Sequence, residues 1–212
     1  MKFFNSNSLT AQGLVKTKLS REYPFQRIPD KYKNSVRQEL WKISQNSAGV
    51  SIMFETNSPK IIVHWKILSD FKMNHMPNTG IKGLDLYEYK NNSWNYRSTG
   101  IPEGKSNKAV IFENKKRKLR KFRLHLPLYE TLIDLKIGIN DDCNFSNYKT
   151  DLKTIVFYGT SITQGGCASR PGLAYTNIIS RKTEYNCINF GFSGNGHLEP
   201  SVGSILSNIK TK

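Results

Sequence analysis

The stretch YGTSITQGG at residues 158–166 directly follows the apolar run TIVF at 154–157. A short apolar run that leads into a glycine-rich turn and a helix start predicts a buried strand ending in a tight turn. Such a turn places the hydroxyl of Ser161 at the carboxyl edge of a sheet, where α/β folds carry their chemistry. Only 46 residues follow Gly166, which is few for the remainder of a hydrolase domain.

Up to about residue 148 the pattern is that of strands. The runs 50–55 and 60–67 are rich in β-branched and aromatic residues, and the turn cluster TNSP at 56–59 separates them. Further strands are predicted at 84–89, 109–112, 119–126 and 131–139, and a helix only at 35–42. Many short strands separated by turns are typical of an antiparallel sandwich, so we predict an all-β, jelly-roll-like domain.

After residue 148 the pattern changes to strands that alternate with helices. A strand at 154–158 is followed by a helix after Pro171, and a strand at 187–190 by a helix that Pro200 opens. The apolar faces expected on these helices are Ala174, Tyr175, Ile178 and Ile179, then Val202, Ile205, Leu206 and Ile209. This β-α-β-α order predicts the opening of a doubly wound parallel sheet.

The net charge of +16 makes a polyanionic partner a hypothesis to consider. Residues 151–212 hold six basic and three acidic residues, so +13 falls in residues 1–150. The densest basic run, at 115–123, is either a polyanion-binding patch or a solvated hairpin whose Leu119, Phe122 and Leu124 reach the core. No nucleic-acid-binding motif accompanies it, which favours the hairpin.

Other features of the sequence limit where the protein can be located and which cofactors it can be expected to bind. No apolar stretch approaches the roughly 18 residues that span a membrane. Residues 1–8 turn polar before an apolar signal region forms, which indicates a cytoplasmic protein unless an upstream export signal has been lost. Three scattered cysteines and four histidines without metal spacing imply neither a disulfide framework nor a metal, and no cofactor is predicted.

Three kinds of site are known to follow a strand with a glycine turn and a helix, and the two glycine turns of this chain can be compared with each. A P-loop needs a lysine after its last glycines, and Gly166 is followed by cysteine. Neither turn has the G-x-G-x-x-G spacing of a dinucleotide site. The G-x-S-x-G elbow of α/β-hydrolases fails because Thr163 stands at its last position. Ser161 therefore either is a nucleophile in another setting or caps the following helix.

The motifs together resemble the SGNH (GDSL-type) hydrolases. Residues 159–161, GTS, resemble their first block, and 189–196, NFGFSGNG, resemble the second. The GLDLY stretch at 83–87 is similar to the Gly-x-Asp-Leu-Tyr signature of a β-rich domain that precedes SGNH domains, and LPLY at 126–129 resembles another part of it. These matches cover most of the chain from about residue 25 onward.

The resemblance implies a fold, a reaction and a set of site residues. It implies a β domain over 1–149 and the first part of a flavodoxin-like SGNH domain over 150–212. Ser161 maps to the nucleophile, and the N–H groups of Ser161 and Gly194 map to the oxyanion hole. The implied reaction is hydrolysis of acetyl or short acyl esters through a seryl acyl-enzyme, with a carbohydrate as one candidate for the alcohol. Residues that could line the cleft are His75, Thr160 and Asn195.

The family's later asparagine block and Asp-x-x-His do not follow Gly196. We therefore expect a C-terminal truncation and little activity from this polypeptide alone, with apolar residues of its two parallel strands, Val156, Phe157, Ile188 and Phe190, left facing absent layers. The alternative is a non-catalytic module whose β domain binds a glycan or a polyanion. A specific nucleic-acid partner is not predicted, and the oligomeric state stays open.

Overall fold

The computed structural model describes residues 1–15, 17–148, 152–183 and 185–209. Its strands are β1 (Lys2–Asn5), β2 (Ala11–Gln12), β3 (Ser51–Thr56), β4 (Lys60–Ile67), β5 (Leu84–Lys90), β6 (Ser93–Gly100), β7 (Ser106–Glu113), β8 (Arg120–His125), β9 (Leu132–Ile139), β10 (Phe145–Asn147), β11 (Lys153–Gly159) and β12 (Tyr185–Gly191). Its helices are α1 (Gln38–Ser44), α2 (Asn78–Lys82), α3 (Ser161–Gln164), α4 (Tyr175–Lys182) and α5 (Pro200–Ser207), with 3₁₀ turns at Ser6–Ser8, Asp30–Tyr32 and Pro171–Leu173.

Two antiparallel sheets make up the larger part of the chain. One has the strand order β1-β9-β4-β7, and the other has the order β10-β3-β8-β5-β6 with β2 also paired to β3. Alternate side chains of both sheets meet in one core, in which Trp65 of the first sheet and Phe54 and Phe122 of the second are almost fully buried. The period-2 pattern of the sequence thus gives each sheet one apolar face, and the two faces cover each other.

The basic run lies differently from the hairpin expected for it. Phe122 and Leu124 are fully buried as predicted, but Leu119 is 60% exposed because β8 begins only at Arg120. Arg123 is also buried, on the face of β8 opposite to Phe122 and Leu124, where it donates to the carbonyl of Ser180, so not all of the basic side chains are solvated. The prediction that Leu119 reaches the core is wrong.

The third sheet is a parallel pair, β11 and β12, in register from Lys153↔Tyr185 to Gly159↔Gly191. Ile188 and Phe190 of β12 are buried, and they pack against Ile28 and Trp41. Their predicted exposure is wrong because residues 28–44 of the N-terminal part supply a covering layer. The predicted boundary between 149 and 150 lies outside the described residues.

Helix α4 buries only part of the face predicted for it, since Ala174 at its N-cap is buried but Ile178 and Ile179 are half-buried. Thr176, Asn177 and Ser180 are buried, whereas Tyr175 is 38% exposed. The helix begins at Tyr175, because Pro171–Leu173 forms a separate 3₁₀ turn. The apolar residues of α4 do not determine which face of the helix is buried. The buried face is polar, because it contacts polar groups of β12 and of the sandwich.

A buried carboxylate joins the sandwich to the C-terminal part. Asp85 of β5 is fully buried and accepts hydrogen bonds from Nη1 of Arg170 and from the backbone N–H of Gly172, both at 2.8 Å. The hydroxyl of Tyr87, two residues further along, accepts from the same Arg170 nitrogen at 2.7 Å. The guanidinium of Arg181 lies 3.9 Å from the centroid of the Tyr87 ring. The signature at 83–87 therefore anchors the chain around 170–172.

His125 lies within the same cluster and is kept neutral. Its Nε2 lies 3.0 Å from Nη1 of Arg181, and its ring stands edge-on to Tyr87 at 5.5 Å. Complete burial and then the charges of Arg123, Arg181 and Arg170 hold the pKa of His125 well below its ordinary value. The unfolded chain takes up a proton at this residue near pH 6.5 and the folded chain does not.

We therefore expect the free energy of unfolding to decrease as the pH is lowered below about 6.5. His125 should contribute up to about 1.4 kcal/mol per pH unit to this decrease. His125→Gln keeps an acceptor for Arg181 but cannot titrate, so its unfolding free energy should depend less steeply on pH between 5 and 6.5. Urea unfolding at several pH values measures the difference. The exposed His197→Gln is the matched control, and equal slopes for both variants would contradict the assignment.

Candidate active site

The first loop of the site follows β11. Gly159 ends the strand, Thr160 is exposed, and Ser161 opens α3. A side chain at Gly159 would place its Cβ 2.3 Å from Oγ1 of Thr163, so glycine is required for this tight turn. Gly165, at φ +117°, ends the short helix in a conformation that favours glycine.

The hydroxyl of Ser161 does not cap the helix. The N-cap residue of α3 is Thr160, and no side-chain hydrogen bond caps the helix. Within the ranges described above, Oγ of Ser161 has no hydrogen-bond partner, and the adjacent Ile162 is 73% exposed. The alternative that Ser161 serves as a helix cap is therefore wrong, and the hydroxyl is left at an accessible sheet edge.

The second loop follows β12 at the same edge. A Cβ at Gly191 would lie 2.0 Å from the backbone nitrogen of Gln164, so this glycine permits the close approach of the two loops. The N–H of Phe192 donates to the carbonyl of Gly159 at 2.9 Å, which extends the pairing beyond the strands. Gly194 has φ +66°, and its Cβ position faces open space.

Gln164 joins the two loops to the sandwich. Its side chain is fully buried, donates from Nε2 to the carbonyl of Leu128 at 3.0 Å, and accepts from the N–H of Ser193 at 2.9 Å. One amide thus bonds the chain beyond β8, the helix of Ser161 and the loop of Gly194. Nothing in the sequence pattern of 158–166 marks Gln164 as this link.

Two further polar residues fix the loops and were also missed. Asn189 donates to the carbonyl of Thr163 at 2.6 Å and accepts from the N–H of Gly191 at 2.8 Å. The hydroxyl of Tyr129 donates to the carbonyl of Ser161 at 3.2 Å. Burial is the main cause that raises the pKa of Tyr129, so it stays protonated as a donor.

Arg27 supports the second loop from below. Its guanidinium is fully buried and donates to four backbone carbonyls, those of Ile43, Asn46, Asn189 and Gly191, at 2.7, 2.9, 3.2 and 2.5 Å. It also lies 4.8 Å from the ring centroid of Phe192. Burial lowers the pKa of Arg27 to about 9, so it remains a cation at neutral pH.

The donors expected for an oxyanion are unengaged. The first N–H groups of a helix have no partner within the helix. In the part of the chain that the structure describes, the N–H groups of Ser161 and Gly194 have no acceptor. The two loops are joined by hydrogen bonds and carry a serine hydroxyl and two free N–H donors. Such donors could stabilise the negative charge that develops on a carbonyl oxygen when the hydroxyl attacks the carbonyl carbon.

Asn195 and the nearby histidine have other partners. Oδ1 of Asn195 accepts from Nη1 of Arg37 at 3.0 Å, and its Nδ2 donates to the carbonyl of Ser193 at 3.0 Å. His197 is exposed, and its Nε2 lies 2.9 Å from the carbonyl oxygen of Gly194. Neither side chain hydrogen-bonds to Ser161.

His75 is exposed and lies 2.8 Å from Oδ1 of Asn74, in a shallow hollow formed by residues 72–78. The hydrogen bonds of the described residues do not connect it to Ser161. No group of histidine, cysteine or acidic side chains within 1–15, 17–148, 152–183 and 185–209 could hold a metal ion. Likewise, no described helix has the length and apolarity needed to cross a bilayer.

Comparison with known protein families gives two matches, which cover successive parts of the chain. Residues 1–145 match the model described as the N-terminus of Esterase_SGNH_hydro-type, whose signature is GxDLY. Residues 152–212 match the GDSL-like Lipase/Acylhydrolase family. No curated protein matches the chain.

Several solved structures are similar. A protein of the GDSL-like lipase type from Bacteroides ovatus ATCC 8483 is 34% identical, with a TM-score of 0.93 over 99% of this chain. The salicylyl-acyltransferase SsfX3 from a tetracycline biosynthetic pathway is 15% identical, with a TM-score of 0.78 over 99%. An acetyl xylan esterase from Butyrivibrio proteoclasticus is 13% identical, with a TM-score of 0.51 over 92%. The chain spans 62%, 59% and 50% of these proteins.

The contact between the two loops gives a stability prediction. Gly191→Ala must push the backbone of Gln164 away, which should lower the free energy of unfolding by about 3 kcal/mol. Gly203→Ala is the matched control, because the space around this exposed helical glycine is open. It should raise the free energy by about 0.5–1 kcal/mol. Guanidinium unfolding curves measure both, and equal effects would contradict the close approach.

Proposed function

Because the chain belongs to the SGNH-hydrolase-type esterase family, we propose that it is the part of a serine ester hydrolase that carries the nucleophile. Ser161 is the nucleophile, and the N–H groups of Ser161 and Gly194 form part of the oxyanion hole. The observation that carries the proposal is the pair of free N–H donors beside an unpartnered serine hydroxyl, on loops that Gln164 joins.

The proposed reaction is acyl transfer to serine and then to water. Oγ of Ser161 attacks the ester carbonyl carbon and loses its proton to a base, while the carbonyl oxygen takes the negative charge. Collapse of this intermediate releases the alcohol with a proton and leaves an acyl-serine. Water attacks the acyl carbon with help from the same base and releases the acid and the free serine.

Among the described residues, no base hydrogen-bonds to the hydroxyl of Ser161. We propose that the Asp-x-x-His and asparagine blocks known from the family supply it, together with a further oxyanion donor. A catalytic serine without its base loses on the order of 10³-fold or more in rate. This chain alone should therefore have little esterase activity.

The proposed architecture has two domains. Residues 1–149 form a jelly-roll-like domain, which the orders β1-β9-β4-β7 and β3-β8-β5-β6 support, since eight strands in two such sheets make a double Greek key. Residues 150–212 form the opening of a flavodoxin-like sheet, which the parallel pair β11 and β12 supports.

The proposed substrate is an acetyl or other short acyl ester, on a carbohydrate. The acetyl xylan esterase from Butyrivibrio proteoclasticus shares the fold and is named for such a substrate. Thr160, Asn195 and His75 are proposed to line the substrate cleft. Of these, Thr160 is exposed next to the serine, and Asn195 adjoins Gly194.

Ser161→Ala in a protein that includes the base-bearing block of the family should lower kcat/KM for p-nitrophenyl acetate by about 10³-fold or more, because the acyl-enzyme cannot form. Initial rates at several substrate concentrations measure the loss. The folded state of the variant is checked by circular dichroism.

Ser169→Ala is the matched control, because Ser169 is exposed and contributes a backbone carbonyl to its hydrogen bond with Thr79. It should keep the wild-type rate. Equal rates for wild type and Ser161→Ala would remove Ser161 as the nucleophile, and an inactive full-length wild type would remove the esterase proposal.

A further inference from the structure

A basic cleft lies on the sandwich away from Ser161. It runs between the β5–β6 hairpin and the chain joining β7 to β8, with a volume of about 780 Å³. Its basic side chains are Lys90, Arg97, Lys116, Lys118, Arg120 and Lys121, against two acidic ones, Glu88 and Glu113. The excess of positive charge favours an anionic ligand.

The two arginines of the cleft share one carboxylate, and three lysines at its rim have no ion pair within the described residues. Glu88 pairs with Arg97 at 2.5 Å and with Arg120 at 3.3 Å. Lys90, Lys116 and Lys118 are exposed, and none of them forms an ion pair with a described residue. Three lysines thus remain available to a ligand.

A second hollow of about 500 Å³ adjoins the first and shares Tyr89 and Lys121 with it. Its walls include the aromatic rings of Trp94 and Tyr148. Tyr89 is 41% exposed, and its ring meets Trp94 edge-on at 5.3 Å. The exposed ring of Tyr89 and the half-buried rings of Trp94 and Tyr148 offer apolar surface on which a sugar ring can pack.

Arg123 lines this second hollow, and no carboxylate of the described residues compensates its charge. It is buried, and it donates to Oγ of Ser51 at 3.0 Å and to the carbonyl of Ser180 at 2.8 Å. Burial lowers the pKa of Arg123 to about 9, so it keeps its charge at neutral pH. A buried cation bonded only to neutral groups favours an anion nearby.

We propose that the two hollows form one groove that binds an acidic polysaccharide, the polymer that bears the ester in the function proposed above. The groove mixes cations with carboxylates and with the amides of Asn91, Asn92 and Asn114. Sugar hydroxyls both donate and accept hydrogen bonds, and such a mixture serves them, whereas the phosphate groups of a nucleic acid offer no donors to these carboxylate and amide oxygens. The identification of the ligand as a polysaccharide rests on the proposed esterase function. Binding of the polymer to the groove does not itself require Ser161.

The test is titration of the full chain with polygalacturonate, with dextran as the neutral polymer, at low and high salt. Wild type should bind polygalacturonate in a salt-dependent way and should not bind dextran. Lys116→Glu/Lys118→Glu should weaken binding at least about tenfold, because the rim charge is reversed. Tyr89→Ala/Trp94→Ala should weaken it as well, with little change in the salt dependence.

Lys66→Glu/Lys108→Glu is the matched control, since both lysines are exposed on the other sheet and the net charge changes equally. It should alter binding less than about threefold. An equal loss in both charge variants, or no binding by wild type, would overturn the groove. Tighter binding of an oligo(dT) strand that competes at the same residues would replace the polysaccharide with nucleic acid. Ser161→Ala should bind like wild type, which keeps this test separate from that of the esterase.

Discussion

The buried guanidinium of Arg27 is the interaction on which the C-terminal part depends. A two-stranded sheet is marginal by itself, and β11 and β12 form only such a pair among the described residues. Arg27 bonds the carbonyls of Asn189 and Gly191 at the end of β12, and it also bonds two carbonyls at the end of α1. Removing it would leave buried acceptors unpaired, which is more costly than the net value of the bonds. The covering layer of residues 28–44 and the loop of Gly194 are therefore fixed together.

The signature at 83–87 has a related role at the other side of the junction. Asp85 and Tyr87 bind Arg170, and the chain from 165 to 174 connects that arginine to the helix of Ser161. Gln164 bonds the same helix to the carbonyl of Leu128 in the LPLY stretch. The resemblance of these two N-terminal motifs to an esterase signature thus has a physical basis, because their residues hold the loops of the candidate site.

The sequence could predict local pattern and the edge of the sheet, but not the long-range partners. Alternation in 121–126 predicted β8, and the strand–glycine pattern predicted that Ser161 and Gly194 lie on loops after parallel strands, as β11 and β12 place them. Leu119 was misplaced because nothing in its own run marks where β8 begins. Asn177 and Ser180 were missed as buried residues, since the helical pattern carries no record of the polar groups that α4 meets. Asp85 and Arg170 are 85 residues apart, and no periodicity connects them.

The net charge of +16 also has a different meaning once the partners are known. Arg27 is buried, and Arg170 is partly buried against one carboxylate, so these two charges hold the two parts together instead of attracting a polymer. Arg27 is bonded only to carbonyls, and burying this cation costs desolvation free energy in exchange for a fixed geometry. Only the unpaired cations at the surface can steer a ligand, and their field is screened within about 8 Å at physiological salt. The basic run at 115–123 contributes both kinds, with Arg120 paired to Glu88 and with Lys116 and Lys118 exposed and without an ion pair among the described residues. A charge run is therefore informative about binding only after its internal ion pairs have been assigned.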